Sequence, residues 1–310
     1  MMASQLAWIG LGNMGRANKQ NLVEKGNLEK PLIIYNRTKE RSEDLASKLG
    51  SNRTKVVGTI NNVVKEADII FMCLGDDASV INVVDIMLQE DVKGKLIIDC
   101  SSLHPDTTNG LEKRITEQGA EFIGMPIFGP PAMAESGQLV CVLAGKSSSC
   151  LRVRPYTKGV MSRANIDFSD QPAGNATLLK MIGNTFILNV VNQLSEGYIL
   201  AEKSGLGVNN LRNFIGTMFP GLYMEYSQRM LEGGYYKRTE PLFHVDLARK
   251  DARHAMSLGE SSGAQDGLKL LKVAQDRLDV VKAELGDRRD ISSVYGAVRK
   301  EAGLDFKNEG

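Results

Sequence analysis

The first half of the chain alternates between short apolar runs and segments in which apolar side chains recur every three or four residues. Short apolar runs bounded by glycine and polar residues are typical of buried parallel strands. We predict strands at residues 6–9, 31–35, 55–57, 68–74, 95–99, 121–124 and 139–144. We predict helices between them at residues 16–25, 40–49 and 60–66. Such alternation indicates a doubly wound α/β sheet.

From residue 172 onward the pattern is helical throughout. Helices are predicted at residues 172–205, 208–218, 221–231, 243–258, 266–284 and 291–300. The sequence therefore favours an α/β fold with two domains. A Rossmann-type dinucleotide-binding domain, residues 1–172, would precede an all-helical substrate and dimerisation domain, residues 173–310, and the long helix would join them.

The predicted helix at residues 172–205 would be about 45 Å long at 1.5 Å per residue. Its middle is apolar on nearly every side, which requires burial on every side. One small helical domain offers limited cover, so we expect a homodimer or a higher homo-oligomer. Lys180 and Asn184 lie near the start of this helix and one turn apart, hence on one face. A cation and an amide in so apolar an element indicate a function.

Composition argues against several classes of function. The 38 Lys and Arg residues balance 37 Asp and Glu residues, so no net field would attract nucleic acid or an anionic membrane. The long helix is too polar in places to span a membrane, and the start of the chain lacks a signal-peptide pattern, so we expect a cytoplasmic protein. The four cysteines form no CxxC pair and are expected to be reduced. No clustered ligand set indicates a metal.

A glycine-rich motif follows the first predicted strand directly. It comprises Gly10, Leu11, Gly12, Asn13, Met14 and Gly15. In a strand–GxGxxG–helix unit the glycines let the backbone approach a diphosphate, and the helix N-terminus faces its charge. The sequence therefore predicts a dinucleotide site. The turn Leu74-Gly75 follows another predicted strand at the same sheet edge and should also pass near the cofactor.

The end of the second predicted strand distinguishes between the two nicotinamide cofactors. NAD enzymes usually place Asp or Glu there to bind the ribose 2′-hydroxyl. This chain has Asn36 instead, followed by Arg37 and Thr38. A guanidinium can bind a 2′-phosphate through two hydrogen bonds, and the threonine can donate its hydroxyl. We therefore predict NADP(H).

Three further motifs accompany the glycine-rich one. They are Asp99-Cys100-Ser101-Ser102 followed by Pro105, the run from Gly174-Asn175 through Lys180 to Asn184, and the pair Lys250-Asp251 seven residues after Phe243. Together the four motifs resemble those of the β-hydroxyacid dehydrogenases. This family includes 3-hydroxyisobutyrate dehydrogenase and glyoxylate/succinic semialdehyde reductase and is related to 6-phosphogluconate dehydrogenase.

The resemblance implies an oxidoreductase that transfers a hydride between NADP(H) and a small carbonyl compound or hydroxy acid. Lys180 would be the general acid and base, and Asn184 would hold the substrate oxygen or carboxylate. Ser101 and Ser102 would bind the substrate carboxylate, and Ser101 would also contact the cofactor.

One family motif differs in this chain. The family's glycine-rich substrate loop typically reads Pro-Val-Ser-Gly-Gly, whereas here Phe128 replaces the serine and Pro130 replaces the second glycine. A hydroxyl and a flexible backbone donor are lost near the substrate carboxylate. We still expect Phe128 and Gly129 to line the substrate site, with Phe128 against an apolar group, and the substrate itself stays open.

Two other functions remain possible on the residues alone. One is reduction of an imine, as in the related imine reductases, and the other is a non-catalytic NADP-binding module. Lys180 argues against both. Phe243 and Lys250 are expected to reach the cofactor from the C-terminal domain, whereas His104 is expected to be an ordinary loop residue.

Overall fold

A computed structural model of the chain describes residues 4–50, 52–286 and 289–308, with the backbone alone at positions 13, 14, 16 and 17. The chain divides into two units, Met1–Lys180 and Met181–Gly310. The first is a mixed α/β unit and the second is helical. An α/β protein with an N-terminal Rossmann-type sheet and a helical C-terminal part is thereby confirmed.

The described strands of the first unit form one nine-stranded sheet. The strands are β1 Leu6–Ile9, β2 Leu32–Tyr35, β3 Thr54–Val56, β4 Ile69–Met72, β5 Leu96–Asp99, β6 Glu121–Gly124, β7 Ile127–Phe128, β8 Leu139–Gly145 and β9 Ser162–Ser169. Their order is β3-β2-β1-β4-β5-β6-β8-β7, with β9 beside β8. The first six strands are parallel and have the doubly wound order 3-2-1-4-5-6.

Helices cover this sheet. They are α1 Asn13–Lys25, α2 Lys39–Leu49, α3 Ile60–Glu66, α4 Asp77–Met87, α5 Pro105–Glu117, α6 Pro131–Ser136, α7 Ser147–Val153 and the start of α8 Gly174–Lys203. Trp8 and Phe71 belong to one buried apolar cluster of the unit, and Ile9 and Ile70 belong to another. Because successive side chains of a strand point to opposite faces, both faces are buried. This explains why the central strands are continuous apolar runs rather than alternating ones.

Several described elements of the first unit are not among the predicted ones. They are β7, β9, α4, α5, α6 and α7. The strand β9 runs along β8, but most of its side chains are at least partly exposed, so it lacks the apolar run of a central strand. His104 precedes α5 and caps it, since its Nδ1 accepts a hydrogen bond from the backbone N–H of Asp106.

The long helix α8 begins at Gly174, two residues later than predicted. The N–H of Ala173 donates to Glu112 Oε2 at 3.0 Å, and that of Gly174 donates to Asn109 Oδ1 at 2.8 Å. Both acceptors lie on α5. The helix start is thus satisfied by side chains from another helix, a partner that local sequence does not reveal.

The second unit contains the rest of α8 and six further described α-helices. These are α9 Val208–Met218, α10 Leu222–Leu231, α11 Gly234–Lys237, α12 Val245–Ser262, α13 Lys269–Leu285 and α14 Val294–Glu301. The core of the unit includes the fully buried tyrosines Tyr198, Tyr235 and Tyr295. Among the described helices, none is both long enough and apolar enough to cross a lipid bilayer.

The burial on every side that the sequence of α8 requires is not met within the single chain. Ile182, Phe186 and Leu200 are exposed, Phe186 by 68% and Leu200 by 70%. Leu188, Val191 and the other buried apolar residues of the helix pack in the core of the unit. Part of the apolar surface of α8 therefore faces solvent in the single chain.

Candidate functional site

The turn between β1 and α1 requires glycine at two positions. Gly10 has φ +95°, and a Cβ atom there would lie 2.3 Å from the carbonyl oxygen of Cys73. A Cβ atom on Gly15 would lie 2.5 Å from the carbonyl oxygen of Gly10. No side chain fits at such distances, so the close approach of these backbone segments depends on the first and last glycines of the motif.

The start of α1 is open to an anion. Gly12 is the N-cap residue, and the first turn carries no acidic residue and no side-chain cap. The first backbone N–H groups of a helix have no partner within it and attract negative charge. The backbone of Asn13 and Met14 begins the helix, while their side chains lie outside the described part of the chain. This arrangement fits a cofactor diphosphate.

Asn36 links the end of β2 to the glycine-rich turn. Its Oδ1 accepts a hydrogen bond from the N–H of Leu11 at 2.8 Å, and its Nδ2 donates to the carbonyl of Thr38 at 2.9 Å. Thr38 is the N-cap residue of α2, but its hydroxyl does not cap the helix. Arg37 is exposed. The structure thus joins the segment predicted to bind the adenosine ribose to the glycine-rich turn through Asn36.

Residues predicted at the ends of β4 and β5 also meet. These strands are paired, with Met72 opposite Asp99. The N–H of Leu74 donates to Ser101 Oγ at 2.9 Å, and the N–H of Ser101 donates to Asp99 Oδ1 at 3.0 Å. Ser101 is buried and Ser102 is partly exposed. Gly75 follows Leu74 directly, at the edge where cofactors bind in such sheets.

The Lys180 side chain is held by the segment around β7. Its side chain is largely buried, with 9% of the residue exposed. The ammonium donates to the carbonyl oxygen of Ile127 at 2.8 Å and lies 4.2 Å from the centroid of the Phe128 ring. The carbonyl of Ile127 was not among the predicted site residues, because a backbone acceptor leaves no mark in the sequence.

Phe128 has apolar neighbours in addition to the Lys180 ammonium. It packs against a small cluster formed by Val142, Ala144 and Ala176, together with Phe168 and Leu179. Gly129 follows it with φ +135°. Pro130 and Pro131 begin the short helix α6, where a proline costs no hydrogen bond. The departure from the family's glycine-rich loop thus coincides with the start of a helix.

In the second unit, Asn184 is bonded to the Lys250-Asp251 pair. Asn184 Nδ2 donates to Asp251 Oδ2 at 2.6 Å, and Asp251 Oδ1 lies 3.2 Å from the Lys250 ammonium. All three residues are buried. Asp251 was not predicted as a site residue, and only its place beside Lys250 in a motif could have indicated it. Phe243 precedes α12, and its N–H donates to Asp290 Oδ2 at 3.2 Å.

Two family models match successive parts of this chain. Residues 5–164 match the NAD-binding domain of 6-phosphogluconate dehydrogenase, and residues 174–298 match the NAD-binding domain of NADP-dependent 3-hydroxyisobutyrate dehydrogenase. The chain belongs to the β-hydroxyacid dehydrogenase family. This membership confirms the resemblance carried by the four motifs.

Individual relatives match this chain along nearly its whole length. The NADH-dependent oxidoreductase ucdB of Aspergillus ustus is 33% identical over 294 residues, covering 94% of this chain and 98% of the relative. Glyoxylate/succinic semialdehyde reductase 1 of Arabidopsis thaliana is 27% identical over 301 residues, covering 95% of this chain and 98% of the relative.

A solved structure shows the same fold. The 3-hydroxyisobutyrate dehydrogenase of Mycobacterium tuberculosis with L-serine superposes with a TM-score of 0.79 at 22% sequence identity. The match covers 96% of this chain and 100% of that chain. At this level of identity the likeness concerns the fold.

Proposed function

We propose that this member of the β-hydroxyacid dehydrogenase family transfers a hydride between NADP(H) and a small carbonyl compound or hydroxy acid, with Lys180 as general acid and base. The observation that carries the proposal is the held and largely buried ammonium of Lys180. Fixing a lysine side chain in one place costs conformational entropy, so most surface lysines stay mobile. A lysine fixed in a segment that matches the family motif is suited to proton transfer.

Different residues of this chain would perform different parts of the reaction. The nicotinamide, when bound, supplies or accepts the hydride. Reduction of a carbonyl leaves negative charge on its oxygen, and the Lys180 ammonium donates the proton that neutralises it. In the reverse direction the neutral amine of Lys180 takes the proton from the alcohol. Asn184 holds the substrate oxygen or carboxylate, and Asp251 fixes the amide of Asn184.

We assign substrate recognition to two pairs of residues. Ser101 and Ser102 offer hydroxyl and N–H groups to a substrate carboxylate at the end of β5. Phe128 and Gly129 would line the other side, where the partly exposed ring favours a hydrocarbon group. We therefore propose a substrate whose carbonyl carries an apolar group.

NADP(H) is the proposed cofactor. Gly10 to Gly15 would cradle its diphosphate, Leu74, Gly75 and Ser101 would line the sheet edge, and Phe243 and Lys250 would contact it from the C-terminal part of the chain. Its 2′-phosphate would bind Arg37 and the hydroxyl of Thr38. Asn36 supports this choice, since its amide brings no negative charge near a phosphate. The relative from Aspergillus ustus is named an NADH-dependent oxidoreductase. The proposal of NADP(H) therefore rests on the residues of this chain and not on that relative.

We propose a homodimer in which a second copy covers the exposed apolar side chains of α8. Ile182, Phe186 and Leu200 would then be buried. Light scattering after size exclusion should give twice the mass of one chain, and Phe186→Glu should shift the population towards monomers. A monomeric wild-type protein would contradict the proposal. The cytoplasmic location stays a prediction.

A panel of substrates tests the reaction itself. Short aldehydes, oxo acids, ketones and preformed imines are each mixed with NADPH and with NADH, and loss of nicotinamide absorbance is followed. We expect oxidation of NADPH with aldehydes or oxo acids that carry an apolar group. Oxidation with imines alone would indicate an imine reductase. No oxidation with any member, despite measurable cofactor binding, would indicate a non-catalytic module.

A further inference from the structure

Helix α1 carries a lysine that is completely buried. Lys19 has 0% of its surface exposed and is among the largest fully buried side chains of the described residues. It lies in the middle of the helix that follows the glycine-rich turn. A lysine is rarely buried to this degree, because its ammonium loses the solvation of water. The position therefore needs a physical reason.

The ammonium of Lys19 is directed at the glycine-rich turn. It donates a hydrogen bond to the carbonyl oxygen of Gly10 at 2.8 Å and lies 5.4 Å from the centroid of the Trp8 ring. Trp8 Nε1 donates to the same carbonyl oxygen at 3.0 Å. Two donors, one charged and one neutral, thus hold one peptide group of the turn.

This peptide group is the fixed point of the turn. Its carbonyl oxygen, that of Gly10, accepts from Lys19 and Trp8, and its N–H, that of Leu11, donates to Asn36 Oδ1 at 2.8 Å. The buried Lys19 ammonium thus contacts the turn that precedes α1 through the Gly10 carbonyl. The Lys19 ammonium and the N-terminal end of the dipole of α1 are both positive.

We propose that Lys19 is a positioning residue of the cofactor site, which fixes the Gly10 carbonyl and places a buried positive charge behind the diphosphate-binding turn. A buried charge is screened less by water and salt than a surface charge is. It attracts the diphosphate that NADPH and NADH share, whereas Arg37 reads the 2′-phosphate that only NADPH carries. The inference rests on dinucleotide binding at this turn and is independent of the role of Lys180.

Equilibrium binding without substrate tests the proposal. The full-length wild type, Lys19→Met, Lys19→Gln and Trp8→Phe are titrated by calorimetry with NADPH, NADH, ADP-ribose and adenosine 2′-monophosphate. Lys19→Gln keeps a donor for the Gly10 carbonyl but removes the charge, so it can fold even where the Met variant does not. Trp8→Phe removes the neutral donor and leaves the charge. Adenosine 2′-monophosphate lacks the diphosphate.

We expect both Lys19 variants to bind NADPH, NADH and ADP-ribose about tenfold more weakly, as a lost charge several ångströms from an anion implies. The ratio of NADPH to NADH affinity and the affinity for adenosine 2′-monophosphate should stay unchanged. Trp8→Phe should change diphosphate binding by about twofold or less, the effect of one neutral hydrogen bond.

Two results would overturn the proposal. Wild-type affinity of Lys19→Gln for ADP-ribose would show that the charge has no effect on the diphosphate. Equal weakening of adenosine 2′-monophosphate would show that the variants disturb the whole unit rather than the turn. Neither result depends on turnover, so the outcome is separate from that of the proposed reaction.

Discussion

The ammonium of Lys180 lies 4.2 Å from the centroid of the Phe128 ring. An aromatic face stabilises such a cation by about 1 kcal/mol at a partly desolvated site. On another side the carbonyl oxygen of Ile127 accepts a hydrogen bond from the same ammonium. The ring that replaces the family's serine thus contacts the side chain to which we assign proton transfer.

Replacing Phe128 should change which substrates are accepted. In Phe128→Ser a hydroxyl is gained for a carboxylate and apolar surface is lost, so kcat/KM for acids relative to neutral aldehydes should rise by about tenfold or more. Phe128→Leu is the matched control, because it keeps an apolar side chain and adds no donor. Its ranking of substrates should match that of the wild type. An unchanged ranking in Phe128→Ser would show that residue 128 does not line the substrate site.

Removal of the Asp251 carboxylate should destabilise the protein. Asp251→Ala leaves the buried Lys250 ammonium and the Asn184 amide without this acceptor. Breaking a buried ion pair from one side costs about 3 kcal/mol in the free energy of unfolding. Asp246→Ala is the control on the same helix, since its pairs with Lys282 and Arg249 are partly exposed and should each contribute about 1 kcal/mol or less. Urea unfolding measures both, and equal losses would contradict the assignment.

Arg37→Asp should reverse the cofactor preference. A carboxylate would repel the 2′-phosphate of NADPH and could bind the 2′-hydroxyl of NADH, so the ratio of kcat/KM for NADPH to that for NADH should fall by about a hundredfold. Lys39→Asp is the control, because the Lys39 ammonium is already paired with Glu43 at 2.8 Å. It should change the ratio far less. A ratio that stays at the wild-type value in Arg37→Asp would reject the assignment.

The buried thiols should resist alkylation in the native protein. Burial raises the pKa of the Cys141 thiol to about 12, and burial together with nearby groups raises the pKa of Cys100 as well. The thiolate is the reactive form, and both groups stay protonated at about pH 8. Mass spectrometry after iodoacetamide treatment should therefore find them unmodified until the protein is unfolded. Rapid labelling of Cys141 in the native state would contradict this burial.

The first unit could be predicted well where the signals are local. The strand β1, the glycine spacing and α1 lie within a few residues of one another, and burial on both faces makes the central strands apolar throughout. The strand β9 was missed because its pairing with β8 does not depend on an apolar run. The buried polar side chains Asn18 and Lys19 of α1 were also missed, since periodicity assigns polar residues to the exposed face.

The sequence motifs predicted the site residues, but they did not predict the groups that hydrogen-bond to these residues. Asn184 and Asp251 are 67 residues apart in the chain and hydrogen-bonded in the fold. The carbonyl of Ile127 beside Lys180 carries no sequence signal at all. Which side chains of α8 stay exposed in the single chain, Phe186 among them, was likewise not predicted, since an apolar pattern shows that a side chain must be buried and not which chain buries it.

The role of Lys180 is the central claim, and single-turnover hydride transfer from bound NADPH tests it most directly. Lys180→Met keeps the length of the side chain and removes the proton donor, and Lys203→Met, at an exposed position of the same helix, is the control. We expect Lys180→Met to slow the step by about a thousandfold with nearly unchanged NADPH affinity, and Lys203→Met to behave as the wild type. Hydride transfer at the wild-type rate in Lys180→Met would contradict the assignment.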